Sequence, residues 1–186
     1  MSLSRHRYYH NDAERRKWQN PEQILYHIGL KPGLKFIDIG CGIGFFTIPA
    51  AKIVGNEGRV YALDINEEAI DMIRKRAEKE GLNNLTLRVG KAEETTFCKY
   101  CADIVFFGIN LHDFANPEKA LINAKKMLKS QGRLIDLDWK KESMEIGPPI
   151  DIRFDKQKAM DLIRSANFEI ETIKNLQYHY LIIAKR

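Results

Sequence analysis

Residues 36–51 read FIDIGCGIGFFTIPAA, and the parsing of that stretch decides the fold. Leu34, Phe36 and Ile37 make an apolar run that suits a buried strand, and the acid Asp38 closes it. Three glycines follow at alternate positions, Gly40, Gly42 and Gly44, before a helical apolar pattern begins at Phe45. Glycine is needed where the backbone takes a positive φ or where a ligand must come close. The exposed N–H groups that open the next helix attract negative charge. Strand, acid, glycine loop and helix together predict a first βα turn built to hold a ligand.

Spacing chooses among ligands. A dinucleotide loop wants G-x-G-x-x-G, whose third glycine lets helix and strand pack closely. Here Phe45 stands in that place, and the third glycine comes one residue early. The order D-x-G-x-G-x-G, from Asp38 to Gly44, resembles motif I of the class I methyltransferases that use S-adenosylmethionine (SAM).

The rest of the chain is compatible with one such domain. Its 186 residues suit a single core, and 44% hydrophobic with 30% charged residues is ordinary for a globular protein. No apolar run approaches the ~20 residues that span a bilayer, and the polar, basic start lacks the apolar centre of a secretory signal. A cytoplasmic protein is expected. Three cysteines, an odd number, argue against a disulfide framework. Cys98 and Cys101 form a lone C-x-x-C with no second ligand pair, so no metal site is expected. A net charge of +5 fits an acidic partner and simple solubility equally well.

Helix and strand signals alternate along the chain. Residues 1–20 hold Arg5, Arg7, Arg15, Arg16 and Lys17 among Tyr8, Tyr9 and Trp18, a mixture that can grip nucleic acid. An arm packed over the domain's open edge is the preferred reading. A short helix is expected over 21–28, capped by Asn20 with Pro21 at its first position. Strands are expected over 34–39, 59–64, 85–89, 104–107 and 133–138. Helices are expected over 45–54, over 67–79 with Asn66 as cap, and from Asn116-Pro117 to just before Gly132 with Leu128 on its buried face. Apolar strands separated by helices imply a mostly parallel sheet covered on both faces. The tail differs: a loop over 140–150, a helix over 155–166, then a hairpin of strands over 168–173 and 178–184.

Seven strands ending in a hairpin match the family's sheet. The resemblance implies an α/β fold, a Rossmann-like three-layer α/β/α sandwich with strand order 3-2-1-4-5-7-6 and strand 7 antiparallel. One domain over 1–186 is expected, with an N-terminal helical arm (1–30), a cofactor-binding core (34–139) and a C-terminal helix and hairpin (151–186).

In open parallel sheets ligands sit beyond the carboxyl ends of the strands, where strand order reverses. Asp38, Gly40, Cys41, Gly42 and Gly44 should therefore face the methionine end of SAM. Asp64, at the end of the second strand, suits the ribose hydroxyls, and Ile65 beside it could pack on adenine. Gly90-Lys91-Ala92-Glu93 resembles the family's adenine segment, with Lys91 where an acceptor is usual. Lysine has no acceptor. Ala92 keeps its backbone role, and Glu93 or a backbone carbonyl would take the adenine amine. After the fourth strand, Gly108 could offer its carbonyl, while Asn110, His112 and Asp113 are the polar candidates near the reacting methyl. His112 has the intrinsic pKa of a general base. Asp138 and Trp139 are further wall candidates. No Asn-Pro-Pro-Tyr motif follows that strand, which argues against the amide and adenine methylases.

The resemblance is closest to small quinone C-methylases and arsenite methylases. It implies a methyltransferase that binds SAM, releases S-adenosylhomocysteine (SAH) and acts on a small-molecule acceptor, with no membrane span and no particular oligomeric state. Ranked behind it are an RNA or protein methyltransferase that uses the basic arm, and a SAM-binding module without catalysis.

Overall fold

A computed structural model describes residues 12–186. Of the basic and aromatic residues on which the nucleic-acid expectation rests, Arg5, Arg7, Tyr8 and Tyr9 lie outside the described part, while Arg15, Arg16, Lys17 and Trp18 lie within it. Helix α1 (Asp12–Arg16) and helix α2 (Pro21–His27) precede the sheet. Asn20 caps α2 by accepting from the Gln23 N–H at 3.0 Å, as its sequence predicts.

Seven strands form one sheet: β1 (Lys35–Ile39), β2 (Arg59–Asp64), β3 (Leu85–Val89), β4 (Ala102–Gly108), β5 (Leu128–Trp139), β6 (Glu169–Asn175) and β7 (His179–Lys185). Their order is β3-β2-β1-β4-β5-β7-β6. The first five run parallel, and β7 pairs antiparallel with both β5 and β6. Helices α3 (Thr47–Val54), α4 (Glu67–Lys79), α5 (Pro117–Met127) and α6 (Lys156–Ser165) complete the layers.

Strand residues alternate between two cores. Phe36, Val60, Ile104, Phe106, Ile135 and Leu137 pack with residues of α2 and α3 on one face. Ile37, Val105, Phe107, Leu134 and Ile182 pack with α5 and α6 on the other. Ala62, on the first face, meets Ile48 of α3 and Ile70, Ile73 and Ala77 of α4. Burial on both faces explains why these strands read as unbroken apolar runs.

Two expectations change. Helix α5 stops at Met127, and Leu128 is buried as the first residue of β5 rather than on a helix face. The ladder jumps between Ala102↔Leu128 and Ile104↔Arg133, so the polar run Lys129–Gly132 bulges out of it. Lys129 there reaches Asp103 at 2.6 Å. The second change is at Cys98 and Cys101, which are joined as a disulfide across a Cα–Cα distance of 6.1 Å. Two cysteines three residues apart in an irregular loop can meet without disturbing any strand or helix.

Candidate active site

The carboxyl ends of β1, β2 and β4 open into a cleft of about 630 Å³. That lies within the ~300–1,000 Å³ usual for small-molecule sites. Its wall includes Asp38, Gly40, Cys41, Gly42, Asp64 and Ile65, the segment from Gly90 to Glu94, and Gly108 to Asn110. Of the residues expected to hold the cofactor, Gly44 is the one outside this wall; its Cα faces Ile73 of α4.

The glycine loop is stitched to its neighbours from three sides. Gly40 and Cys41 donate their N–H groups to the Leu63 carbonyl at 2.7 and 3.0 Å. Asp64 accepts from the Gly42 N–H at 2.7 Å and from the Asn66 N–H at 2.9 Å. Asn110 donates its amide to the carbonyls of Ile39 and Gly40, at 2.6 and 2.9 Å. Gly40 has φ +69°, and a Cβ there would run into that Asn110 amide. Gly42 has nothing within 4 Å of its Cβ position, so the loop is bare where a ligand would approach.

These features fit SAM. Asp64 has an acceptor in the cleft with capacity beyond two backbone bonds, since an ionised carboxylate offers about four lone-pair sites. Asn66 takes over the capping of α4, accepting from Glu68 and Ala69, and leaves Asp64 to the cleft. Ile65 is 62% exposed, an apolar side chain placed where a flat base could cover it. Asn110 Oδ1 is buried at the wall with no hydrogen-bond partner, an acceptor that an N–H donor would satisfy.

Asp38 is buried and accepts from Thr47 Oγ1 at 2.6 Å. Burial pushes its pKa up to about 7, with the Thr47 bond working the other way. Cys41 is buried beside it, and loss of solvation raises its thiol pKa well above the ordinary value. It is therefore an inert wall residue. At the adenine segment Lys91 extends to within 3.6 Å of Glu94, Ala92 is buried with its carbonyl held by Asn123, and Glu93 accepts from the Asn116 N–H at 3.2 Å. The wall thus brings a bare glycine loop, an acid at the end of β2 and a buried alanine after β3 around one cavity. The sequence model of the methyltransferase domain family matches residues 30–167 of this chain.

The chain belongs to the methyltransferase domain family.

Curated relatives agree. A probable cobalt-precorrin-6B C(15)-methyltransferase (decarboxylating) of Saccharolobus solfataricus is 49% identical over 69 residues, covering 37% of this chain and 35% of the relative. A ubiquinone/menaquinone biosynthesis C-methyltransferase, UbiE, of Hydrogenovibrio crunogenus is 34% identical over 114 residues, covering 61% of this chain and 45% of the relative. The matched part thus spans less than half the length of either protein. Among solved structures, a SAM-dependent methyltransferase from Aquifex aeolicus superposes with a TM-score of 0.88 at 27% identity, covering 92% of both chains. SAM is the cofactor of this family, and its fold is the one found here.

Three candidates for the reacting end of the methyltransferase cleft divide by position. Asn110 and Asp113 line the cleft, and His112 does not. The His112 side chain is 1% exposed, with Nδ1 at 2.8 and 2.9 Å from the two oxygens of Asp138 and Nε2 3.6 Å from Asp113. Burial opposes its charge, but the hydrogen bond and charge of Asp138, helped by Asp113, outweigh it and raise the pKa. Behind this pair Asp136 is fully buried with both carboxylate oxygens unpartnered. Burial, reinforced by the charge of Asp138, drives its pKa well above the ordinary carboxylate value. Trp139 lies in the core against Trp18 and His179 rather than in the cleft wall.

Sequence reasoning did not assign Arg15 to the site. The guanidinium of Arg15 sits 4.0 Å from the Phe45 ring centre, and it lines the cleft together with Phe45 and Phe46. Phe45, in the place of a third dinucleotide glycine, and Phe46 beside it are the signal that could have found it.

Proposed function

We propose that this chain transfers a methyl group from SAM to a carbon of a small-molecule acceptor. The observation that carries this reading is that Asp64, the bare Gly42, Asn110 and Asp113 line a single cleft. Bound there, SAM supplies a methyl group already activated by its positive sulfur, so the protein's work is chiefly alignment and exclusion of water. Asp64 would hold the ribose, and Ala92 and Glu93 the adenine. Asp38, Gly40, Cys41 and Gly108 would shape the methionine end. Phe45, Phe46 and Phe114 supply apolar wall, which keeps water from the acceptor.

Asp113 and Asn110 are the polar side chains left to face the acceptor. Asp113 is the group we assign to receive a proton when the acceptor must lose one. His112, clamped by Asp138, would hold Asp113 in place through its Nε2 edge. Carbon as the accepting atom is supported by the names of the two curated relatives, both C-methyltransferases. The cofactor supports a cytoplasmic setting, and no described helix is long and apolar enough to cross a membrane.

The experiment is methyl labelling. Protein incubated with methyl-labelled SAM and a cell extract should release SAH and place label in the low-molecular-weight organic fraction. Label confined to protein or RNA, or SAM consumed by no fraction, would overturn the reading.

A further inference from the structure

Between β3 and β4 the chain runs from the cleft to the disulfide without a helix or strand of its own. Gly90 to Glu94 line the cleft, and the bonded pair Cys98 and Cys101 lies just beyond them. Both ends of this segment rest on the last turns of α5. At the cleft end, Asn123 donates its amide to the Ala92 carbonyl at 3.0 Å, and Lys126 donates to Asn123 Oδ1 at 3.0 Å. At the cysteine end, the N–H groups of Tyr100 and Cys101 donate to the carbonyls of Lys126 and Met127, at 3.0 and 2.9 Å. The adenine segment and the cysteine loop therefore share one short piece of helix as their support.

The loop inside the disulfide is held in an unfavourable conformation. Tyr100, between the two cysteines, has φ +52°. A bulky residue stays in that left-handed region only where its surroundings over-determine it. Here the constraints are the disulfide and the two N–H bonds to α5. A reagent can reach the bond: both cysteines are half-buried, Lys99 between them is exposed, and Tyr100 is 59% exposed. Cys41, the third cysteine, is buried. In the cytoplasmic setting proposed for this chain, protein disulfides are usually transient or sensing rather than permanent.

We propose that the Cys98–Cys101 disulfide is a reversible redox switch on the adenine side of the cleft, closed in the form that binds the nucleoside well and opened by dithiols. This rests on the reading of the cleft as a SAM site. A thiolate of the dithiol attacks one sulfur of the pair, forming a mixed disulfide and releasing the other cysteine. The second thiol of the reagent then displaces the first cysteine, which leaves two protein thiols and an oxidised, cyclic reagent. Two electrons and two protons pass to the protein. Opening the bond lets Tyr100 leave its left-handed conformation, and the segment between Glu94 and Cys101 loses its fixed seat on α5. Fewer copies of the protein then present Ala92 and Glu93 ready to receive adenine.

The test uses dithiothreitol, iodoacetamide and SAH on the folded protein. Dithiothreitol should make Cys98 and Cys101 alkylable while Cys41 stays unmodified, and oxidised dithiothreitol should reverse this. In calorimetry the reduced protein should bind SAH about five- to tenfold more weakly than the oxidised one. By reciprocity, saturating SAH should shift the exchange equilibrium toward the disulfide by the same factor. The double variant Cys98→Ser, Cys101→Ser should bind SAH as the reduced protein does and ignore dithiothreitol. A bond that yields only in denaturant, or whose reduction unfolds the chain in thermal melts, would be a structural staple and would overturn the proposal. Equal SAH affinity in the two redox states would overturn it alone and leave the SAM reading standing. Protein that binds SAH in neither state would remove the SAM reading and the switch with it.

Discussion

Asp138 holds His112 through both carboxylate oxygens, at 2.8 and 2.9 Å, with neither side chain more than 1% exposed. Removing one partner of such a pair leaves the other buried without compensation. Asp138→Asn should lower the unfolding free energy by about 3 kcal/mol in urea titrations. The pH dependence has a definite sign. The folded pKa of His112 is raised above 6.5, so the stability it adds is complete below that value. It is lost as pH rises through the folded value. The gap between wild type and Asp138→Asn should therefore be wider at pH 6 than at pH 9.

Asp64 links the glycine loop to the end of β2 and would carry the ribose. Asp64→Ala should weaken SAH by about 1–3 kcal/mol, since charge-assisted hydrogen bonds are lost. Calorimetry that finds the dissociation constant unchanged would refute the ribose assignment.

Asp38 has a pKa raised to about 7 from 3.8. Between those values the folded protein holds a proton that the unfolded chain has released. This contribution to stability therefore falls as pH rises through the window, and Asp38→Asn should flatten that slope. Ligand binding runs the other way. If the ammonium of SAM needs the ionised carboxylate, affinity for SAH should rise by up to about tenfold per pH unit toward pH 7 and level off above it. Affinity that is flat from pH 5.5 to 8 would separate Asp38 from the ligand.

Gly40 and Gly42 should fail in different ways. At Gly40 a side chain meets the Asn110 amide and φ is +69°, so Gly40→Ala should cost about 2 kcal/mol of stability. At Gly42 the space is open, and φ is +53°. Gly42→Ala should cost about 1 kcal/mol or less, yet weaken SAH more than tenfold because the methyl group occupies ligand space. Thermal melts with and without SAH separate the two.

Most of this architecture was legible because local and long-range signals agree. Asn20-Pro21, Asn66 and Asn116-Pro117 mark helix starts that the structure reproduces, each asparagine accepting from the first turn. The strand order was legible through the family resemblance, since pairing partners are not written in any one strand. The end of α5 was not legible. Leu128 has the right spacing for the helix face, and only its pairing with Ala102 makes it a strand residue. Asp64 and the glycine loop could be placed because their chemistry sits at strand ends. His112 could be named but not oriented, because its partner Asp138 lies 26 residues away. Arg15 escaped for a similar reason: an arginine in a basic arm looks solvated until Phe45 and Gln19 are seen to hold it.

The hairpin at the end of the sheet also bears on how the chain assembles. β6 comes earlier in sequence, yet its one ladder is with β7, and β7 alone joins it to β5. As the polypeptide is made from its N-terminus, β6 emerges with no strand to lie against, and β5 has an open edge beyond its pairing with β4. Both edges close in one event when His179–Lys185 slots between them. A ribosome-bound chain halted before Tyr178 should thus hold a five-stranded parallel sheet with a sticky border, the state in which a chaperone would have most to cover.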